Sequence, residues 1–336
     1  MRAGPAYRGA MTSSTGPVTA ALDTALDKSL VLGYSRIGMA LRRRWWPADP
    51  EPGSLAGRHV VVTGGSGGLG RATATGLAAL GATVHLVGRS GPRLAESAEA
   101  IRREVPAADL VEDVCDVSDL DAVRSYAADL TGRLDGLHAL VHNAGVMPPE
   151  RTVSAQGHES TLATHVLGPV LMTELLRPLL VAEESPRVVV VSSGGMYSAP
   201  LDTSISDDLE FRRGTYEGIR AYARTKRLQV TMAEELAARY DADGIAVHSM
   251  HPGWADTPGV SESMPRFARV AGPILRTAEQ GADTIVWLAA SERATDTTGQ
   301  FWCDRRARPT YYLPWQSDDP QARRSAWSQV LDLTTD

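Results

Sequence analysis

The chain is poor in cysteine, with two residues, Cys115 and Cys303, among 336. Two thiols so far apart offer neither a disulfide framework nor metal-ligand spacing, and a reducing cytosol is the compartment they predict. Long apolar runs are also missing. The richest stretch, residues 170 to 182, is interrupted by Glu174 and Arg177, short of the ~18 uninterrupted apolar residues expected of a membrane span. After Arg2 and Arg8 comes a Ser/Thr/Gly/Pro-rich stretch where a secretory signal would need an apolar segment. Positive charge is not in excess: 40 acidic residues face 34 basic ones, a formal charge of -6, so no nucleic-acid surface is expected. His138, His142 and His251 show no metal-ligand spacing. What is present is ordinary globular composition, 43% hydrophobic and 22% charged, enough for a sizeable core.

Residues 1–20, rich in Gly, Pro, Ser and Thr, predict a disordered terminus. Within 21–57, Leu22, Leu26, Leu30, Ile37, Leu41 and Trp45 recur at near-helical spacing until Pro47, Pro50 and Pro52 end the pattern. This predicts an amphipathic helix and a Pro-rich linker. Arg42-Arg43-Arg44-Trp45-Trp46 combines basic and aromatic residues, which suits an anionic membrane surface. The favoured reading is instead that the stripe packs on the following domain or on a second subunit, as in a homo-oligomer. From Arg58, short apolar runs alternate with helical patterns. Strands are expected near 59–63, 83–87, 110–114, 137–142, 188–192 and 245–250, closing near 300–303. Such alternation predicts one α/β domain over 58–304, a doubly wound parallel sheet with ligands at the carboxyl ends of its strands. Residues 305–336 are polar and poorly periodic, and read as a tail.

Several motifs fall at those strand ends. Thr63-Gly64-Gly65-Ser66-Gly67-Gly68-Leu69-Gly70 joins the first strand to its helix, and its glycines admit a pyrophosphate to backbone amides and a helix N-terminus. After the second strand stands Arg89, where an NAD-selective protein usually carries an acidic residue, so a 2′-phosphate and NADP(H) are favoured. Asp116-Val117 and Asn143-Ala144-Gly145 follow the third and fourth strands. The fifth ends at Ser192-Ser193, and Tyr222 and Lys226 follow, four apart on one helix face. A nearby ammonium favours a phenolate, bringing the tyrosine toward proton exchange. A hydroxyl at Ser193 can stabilise a carbonyl oxygen as it gains charge.

With Pro252-Gly253 and Thr257, these motifs resemble the short-chain dehydrogenase/reductase family over residues 58 to about 304. The glycine spacing alone also fits its sugar-nucleotide-epimerase branch, but Asn143-Ala144-Gly145 favours the dehydrogenase branch. The long separation of Ser193 and Tyr222 resembles its retinol-dehydrogenase-like members, and a helix ahead of the sheet is shared with one subgroup. The resemblance implies a single Rossmann-type fold with Ser193, Tyr222 and Lys226 as catalytic residues. Cofactor contacts are implied at Gly64, Ser66, Gly68, Leu69, Gly70, Arg89, Asp116, Val117, Asn143, Ala144, Gly145, Tyr222, Lys226, Pro252, Gly253 and Thr257. His165 stands where the family usually has an asparagine that holds a water in a proton relay, and it reads either as a proton carrier or as a structural residue. The expected reaction interconverts a small-molecule carbonyl and its alcohol. Trp254, Met264, Phe267 and Ile274 suggest a lipophilic substrate. An NADP(H)-binding scaffold with little turnover is the alternative.

Overall fold

Valine-rich runs form the strands, because a parallel sheet covered on both faces needs apolar side chains on both. The computed structural model describes residues 16–256, 269, 271–313 and 315–335. Its strands are β1 His59–Thr63, β2 Thr83–Gly88, β3 Asp109–Val114, β4 Ala139–His142, β5 Arg187–Val191, β6 Ala246–Met250, β7 Phe301–Cys303 and β8 Arg306–Ala307. They lie in the order β3-β2-β1-β4-β5-β6-β7-β8. The first seven strands are parallel and β8 runs antiparallel to β7. The chain reverses its direction of travel across the sheet between β1 and β4, and this switch point opens a crevice at the carboxyl ends.

Alternation along each strand divides the core. Val60 and Val62 of β1 join the layer of α4 Gly68–Ala79, α5 Gly91–Glu104 and the later helix Ala278–Ala290. Val61 joins the layer of α6 Leu120–Arg133, α8 Gly168–Val181 and α10 Gly218–Arg239. A short α7, Ser160–Leu162, runs into α8 through a π-helical turn, Ala163–Leu167. In the long connection after β5 lies α9, Thr203–Ser206. We number Ala278–Ala290 as α11 and Pro320–Thr335 as α12.

The ends of the chain differ from the sequence expectation. Residues 17–20, expected to be disordered, begin a helix, and the single amphipathic helix is three short ones: α1 Pro17–Lys28, α2 Leu30–Tyr34 and α3 Arg36–Arg42. Ser29 and Ser35 divide them, each with extended backbone, and the Ser29 hydroxyl accepts from the Leu32 amide at 3.2 Å. Of the predicted stripe Leu26 is buried, but Leu22 and Ile37 are exposed. Charge pins this segment instead. Asp23 pairs with Arg308 and Arg42, Asp304 pairs with Arg42 and Arg276, and all five side chains are buried. At the other end the sheet continues past residue 304 through β8, and the expected tail contains α12. Asp319 caps this helix by accepting from the Gln321 and Ala322 amides at 2.7 and 3.2 Å. Its Ala326 and Val330 belong to the main core.

Candidate active site

The loop between β1 and α4 is shaped by close approaches. Gly64 has φ of +71°, and a Cβ there would lie 2.9 Å from the Ala144 Cα. A Cβ on Gly70 would fall 2.1 Å from the Gly64 carbonyl oxygen, so only glycine lets the helix start against the loop. The N-cap of α4 is Gly67, which caps with no side chain. The first amides of α4, from Gly68, Leu69 and Gly70, therefore keep the donors that an anion would use. Beside them lie Ser66 and, across the crevice, Asn143-Ala144-Gly145. Thr63 ties the two together: its hydroxyl accepts from the Asn143 and Ala144 amides at 3.0 and 3.1 Å, and its carbonyl accepts from Asn143 Nδ2 at 2.9 Å.

Arg89 is exposed at the end of β2 and makes no ion pair among the described residues. A second guanidinium, which the sequence reading missed, comes from α5: Arg93 Nη2 lies 3.9 Å from the position a Cβ on Gly67 would take. A helical turn after a short β2–α5 connection was the signal that could have found it. Asp116 accepts from the Ser118 amide and hydroxyl at 3.0 and 2.7 Å, fixing the turn after β3. The Val117 carbonyl lies against Gly168, where a Cβ would come within 1.8 Å.

Ser193, Tyr222 and Lys226 meet at the carboxyl end of β5. A Cβ on Gly195 would lie 3.7 Å from Ser193 Oγ and 4.0 Å from the Tyr222 ring, so the two side chains stand together. Lys226 Nζ stands 5.3 Å from the centre of the Tyr222 ring. Its ammonium donates to the Val191 carbonyl and to Gln229 Oε1, both at 2.9 Å. Burial pushes Lys226 down to about 7, because the charged form loses its water. Burial raises Tyr222 above its ordinary value while the Ser193 hydrogen bond lowers it. The lowering of Tyr222 expected from the ammonium is not found: burial dominates, and the opposing influence comes from Ser193.

His165 lies in the π-helical turn and is fully buried. Its Nε2 accepts from the Val146 amide at 3.0 Å, which leaves Nδ1–H to donate to Thr225 Oγ1 at 2.8 Å. Burial, reinforced by the Lys226 charge, holds it neutral, well below the usual histidine range. Both ring nitrogens are engaged in fastening the Asn143–Val146 turn to α10. Gln229 was not foreseen: its Nε2 donates to the His165 carbonyl at 3.0 Å, so its amide bridges that carbonyl and Lys226. The π-helical turn displaces carbonyls from the regular ladder, a pattern frequent at functional sites.

Pro252-Gly253 follows β6, and Gly253 has φ of +76°. The first N-terminal surprise is here. The Tyr34 carbonyl accepts from the Trp254 amide at 2.9 Å, and the Tyr34 ring lies 3.5 Å from where a Cβ on Gly194 would sit. Tyr34 therefore occupies the space between the loops leaving β5 and β6, next to Ser193. Tyr197, Tyr312 and His251 surround it. Thr257, Met264 and Phe267 lie outside the described residues, and Ile274 falls in a 3₁₀ turn before α11. Among the described residues no cluster of three His, Cys, Asp or Glu could hold a metal.

A family model described as short chain dehydrogenase matches residues 58–201. Over 287 residues the chain is 39% identical to the Homo sapiens protein named dehydrogenase/reductase SDR family member 12, covering 85% of this chain and 88% of that one. It is 31% identical to Mus musculus retinol dehydrogenase 14 over 323 residues, covering 91% and 95%. A Beutenbergia cavernae protein solved with NADP bound at low occupancy is 26% identical, with a TM-score of 0.61 and coverage of 76% and 97%.

Proposed function

The chain belongs to the short-chain dehydrogenase/reductase family and is an NAD(P)-dependent oxidoreductase, and from that premise we propose that it prefers NADP(H) and interconverts a lipophilic ketone or aldehyde with its alcohol. The observation that carries the chemistry is the joint placement of Ser193, Tyr222 and Lys226, with the serine and tyrosine side chains both beside Gly195 and the ammonium beside the tyrosine ring.

The glycine loop fits a dinucleotide, since a Cβ at Gly64 or Gly70 would fill the cradle and the amides of α4 are left without a side-chain cap. Gly64, Ser66, Gly68, Leu69 and Gly70 would hold the pyrophosphate. Asp116, Val117, Asn143, Ala144, Gly145, Pro252, Gly253 and Thr257 would line the remainder. Arg89, with Arg93 beside it, would pair with a 2′-phosphate. The nicotinamide group, when bound, supplies or accepts the hydride. In the reducing direction the Tyr222 hydroxyl gives its proton to the carbonyl oxygen while the Ser193 hydroxyl hydrogen-bonds that oxygen and steadies its growing charge. The Lys226 ammonium lowers the cost of the phenolate that remains. His165, neutral and held at both nitrogens, acts as a positioning residue for the turn that carries Gly145.

The test is oxidation of NADPH and NADH over a panel of aldehydes and ketones. Tyr222→Phe is expected to lose at least a hundredfold in kcat, the scale of general acid catalysis, while still binding NADPH. Arg89→Asp is expected to weaken NADPH at least tenfold and leave NADH within a few-fold. NADPH binding without turnover on any carbonyl would leave a scaffold role, and equal binding of both coenzymes by wild type would overturn the preference.

A further inference from the structure

The N-terminal helices carry apolar side chains on two faces, one buried and one exposed. Their inner side carries Leu26, Tyr34 and Met39 together with Asp23, Ser35 and Arg42, all buried, while Val18, Leu22, Val31, Leu32 and Ile37 are exposed. An amphipathic segment ordinarily turns its apolar stripe to the core; here buried ion pairs share the inner face with Leu26, Tyr34 and Met39, and a second set of apolar side chains faces outward. The loop beside it has the same character. Lys28 Nζ donates to the Tyr312 carbonyl at 2.5 Å, which brings the loop against the end of α1, and Leu313 and Trp315 next to that carbonyl are exposed, Trp315 by 77%. Of the twelve large apolar side chains exposed among the described residues, seven lie in these two stretches. Contiguous exposure of this kind marks an interaction surface, whereas single exposed residues need no explanation.

Charge identifies the partner. Lys28, Arg36, Arg43 and Arg44 are exposed in the same segment. No acidic residue occurs from position 28 to position 48, although the chain as a whole carries a formal charge of -6. Basic side chains interleaved with exposed Val, Leu, Ile and Trp suit a bilayer surface bearing anionic headgroups, where cations meet phosphate and apolar side chains enter the acyl boundary. Pairing of this face with a second copy would set the same cations against each other, which disfavours self-association. No described helix is long and apolar enough to cross a membrane, so the segment would lie on the surface.

We propose that residues 18–45, with Leu313 and Trp315, dock the enzyme peripherally on an anionic lipid bilayer. The surface stands apart from the reaction proposed above, because binding to vesicles requires no turnover.

Flotation of the full chain with phosphatidylcholine vesicles, with and without phosphatidylglycerol, tests it. Wild type should float with the anionic vesicles at low salt, and should stay at the bottom with neutral vesicles or at high salt. Arg43→Glu with Arg44→Glu should weaken anionic binding roughly thirtyfold or more, since each cation near the surface contributes about fivefold. Ile37→Asp with Trp315→Ser should weaken it at least tenfold. All four side chains lie outside the core, and unchanged NADPH binding and near-UV circular dichroism serve as the control for folding. Wild type remaining at the bottom with anionic vesicles at low salt, or both double variants floating as wild type does, overturns the proposal. So does a wild-type dimer that the same substitutions disperse, which would assign this face to a second copy.

Discussion

At the scale of single residues, Gln229 is the side chain that accepts from the Lys226 ammonium. The ammonium is buried and sits at about 7 with two donors engaged, one of them on Gln229 Oε1. Gln229→Glu places a carboxylate where that oxygen is and favours the cation; Gln229→Leu removes the acceptor and disfavours it. Carbonyl reduction at saturating NADPH draws on the protonated lysine, so its rate should fall as pH rises through about 7. The midpoint should move up by roughly one unit or more in Gln229→Glu, and down in Gln229→Leu, the scale on which neighbouring charges shift such groups. KM should change little. A midpoint that stays fixed in both variants would remove Gln229 from this role. The residue was invisible in the sequence for a plain reason: nothing in Lys226-Arg227-Leu228-Gln229 says that a π-helical turn far away in the chain will offer its carbonyl to the amide. Ser193, Tyr222 and Lys226 were legible because their chemistry is carried by residue type and spacing on one strand end and one helix.

Among the elements, β1 to β6 were readable from alternating apolar runs, since parallel strands buried on both faces have few other sequences open to them. The first helices were not, because their apolar periodicity suggested an inward stripe while the buried contacts are made by Asp23, Arg42 and Tyr34, whose partners lie far along the chain. α12 was passed over for a related reason: its Asp319-Pro320 start is a capping signal, but only Ala322, Ala326 and Val330 of its apolar residues are fully buried. Tyr34 packs α2 against the loops that leave β5 and β6. Tyr34→Leu should raise or lower KM for a carbonyl substrate about tenfold, the scale of a changed pocket contact, and leave KM for NADPH within twofold. Tyr34→Phe, which keeps the ring and loses only the hydroxyl contact with Tyr312, should stay close to wild type. Equal shifts for substrate and coenzyme would instead indicate general loosening of the segment.

For the molecule as a whole, the two ends of the chain are joined at the β7–β8 turn. Asp304 and Arg305 both have φ of +53°, a left-handed conformation that ordinary side chains adopt at a cost. The turn is held because Asp304 accepts from Arg42 at 2.7 Å and from Arg276 at 2.7 and 3.0 Å, while Arg305 pairs with Asp283. Those two arginines, although Asp304 is buried, hold its carboxyl down to about 2. Asp304→Asn isolates the charge, since asparagine tolerates the left-handed turn. It leaves the buried Arg276 without a carboxylate and Arg42 still paired with Asp23, and should destabilise by about 3–5 kcal/mol at neutral pH. A depressed carboxyl pKa contributes stability that is fully present above the unfolded value of 3.8 and fades as pH falls through the folded value. The difference between wild type and variant, measured by denaturant unfolding, should therefore be constant from pH 7 to about 4 and narrow toward pH 2. A gap of the same size at both ends, or none at neutral pH, would mean that packing and not this network fastens the N-terminal helices to the sheet.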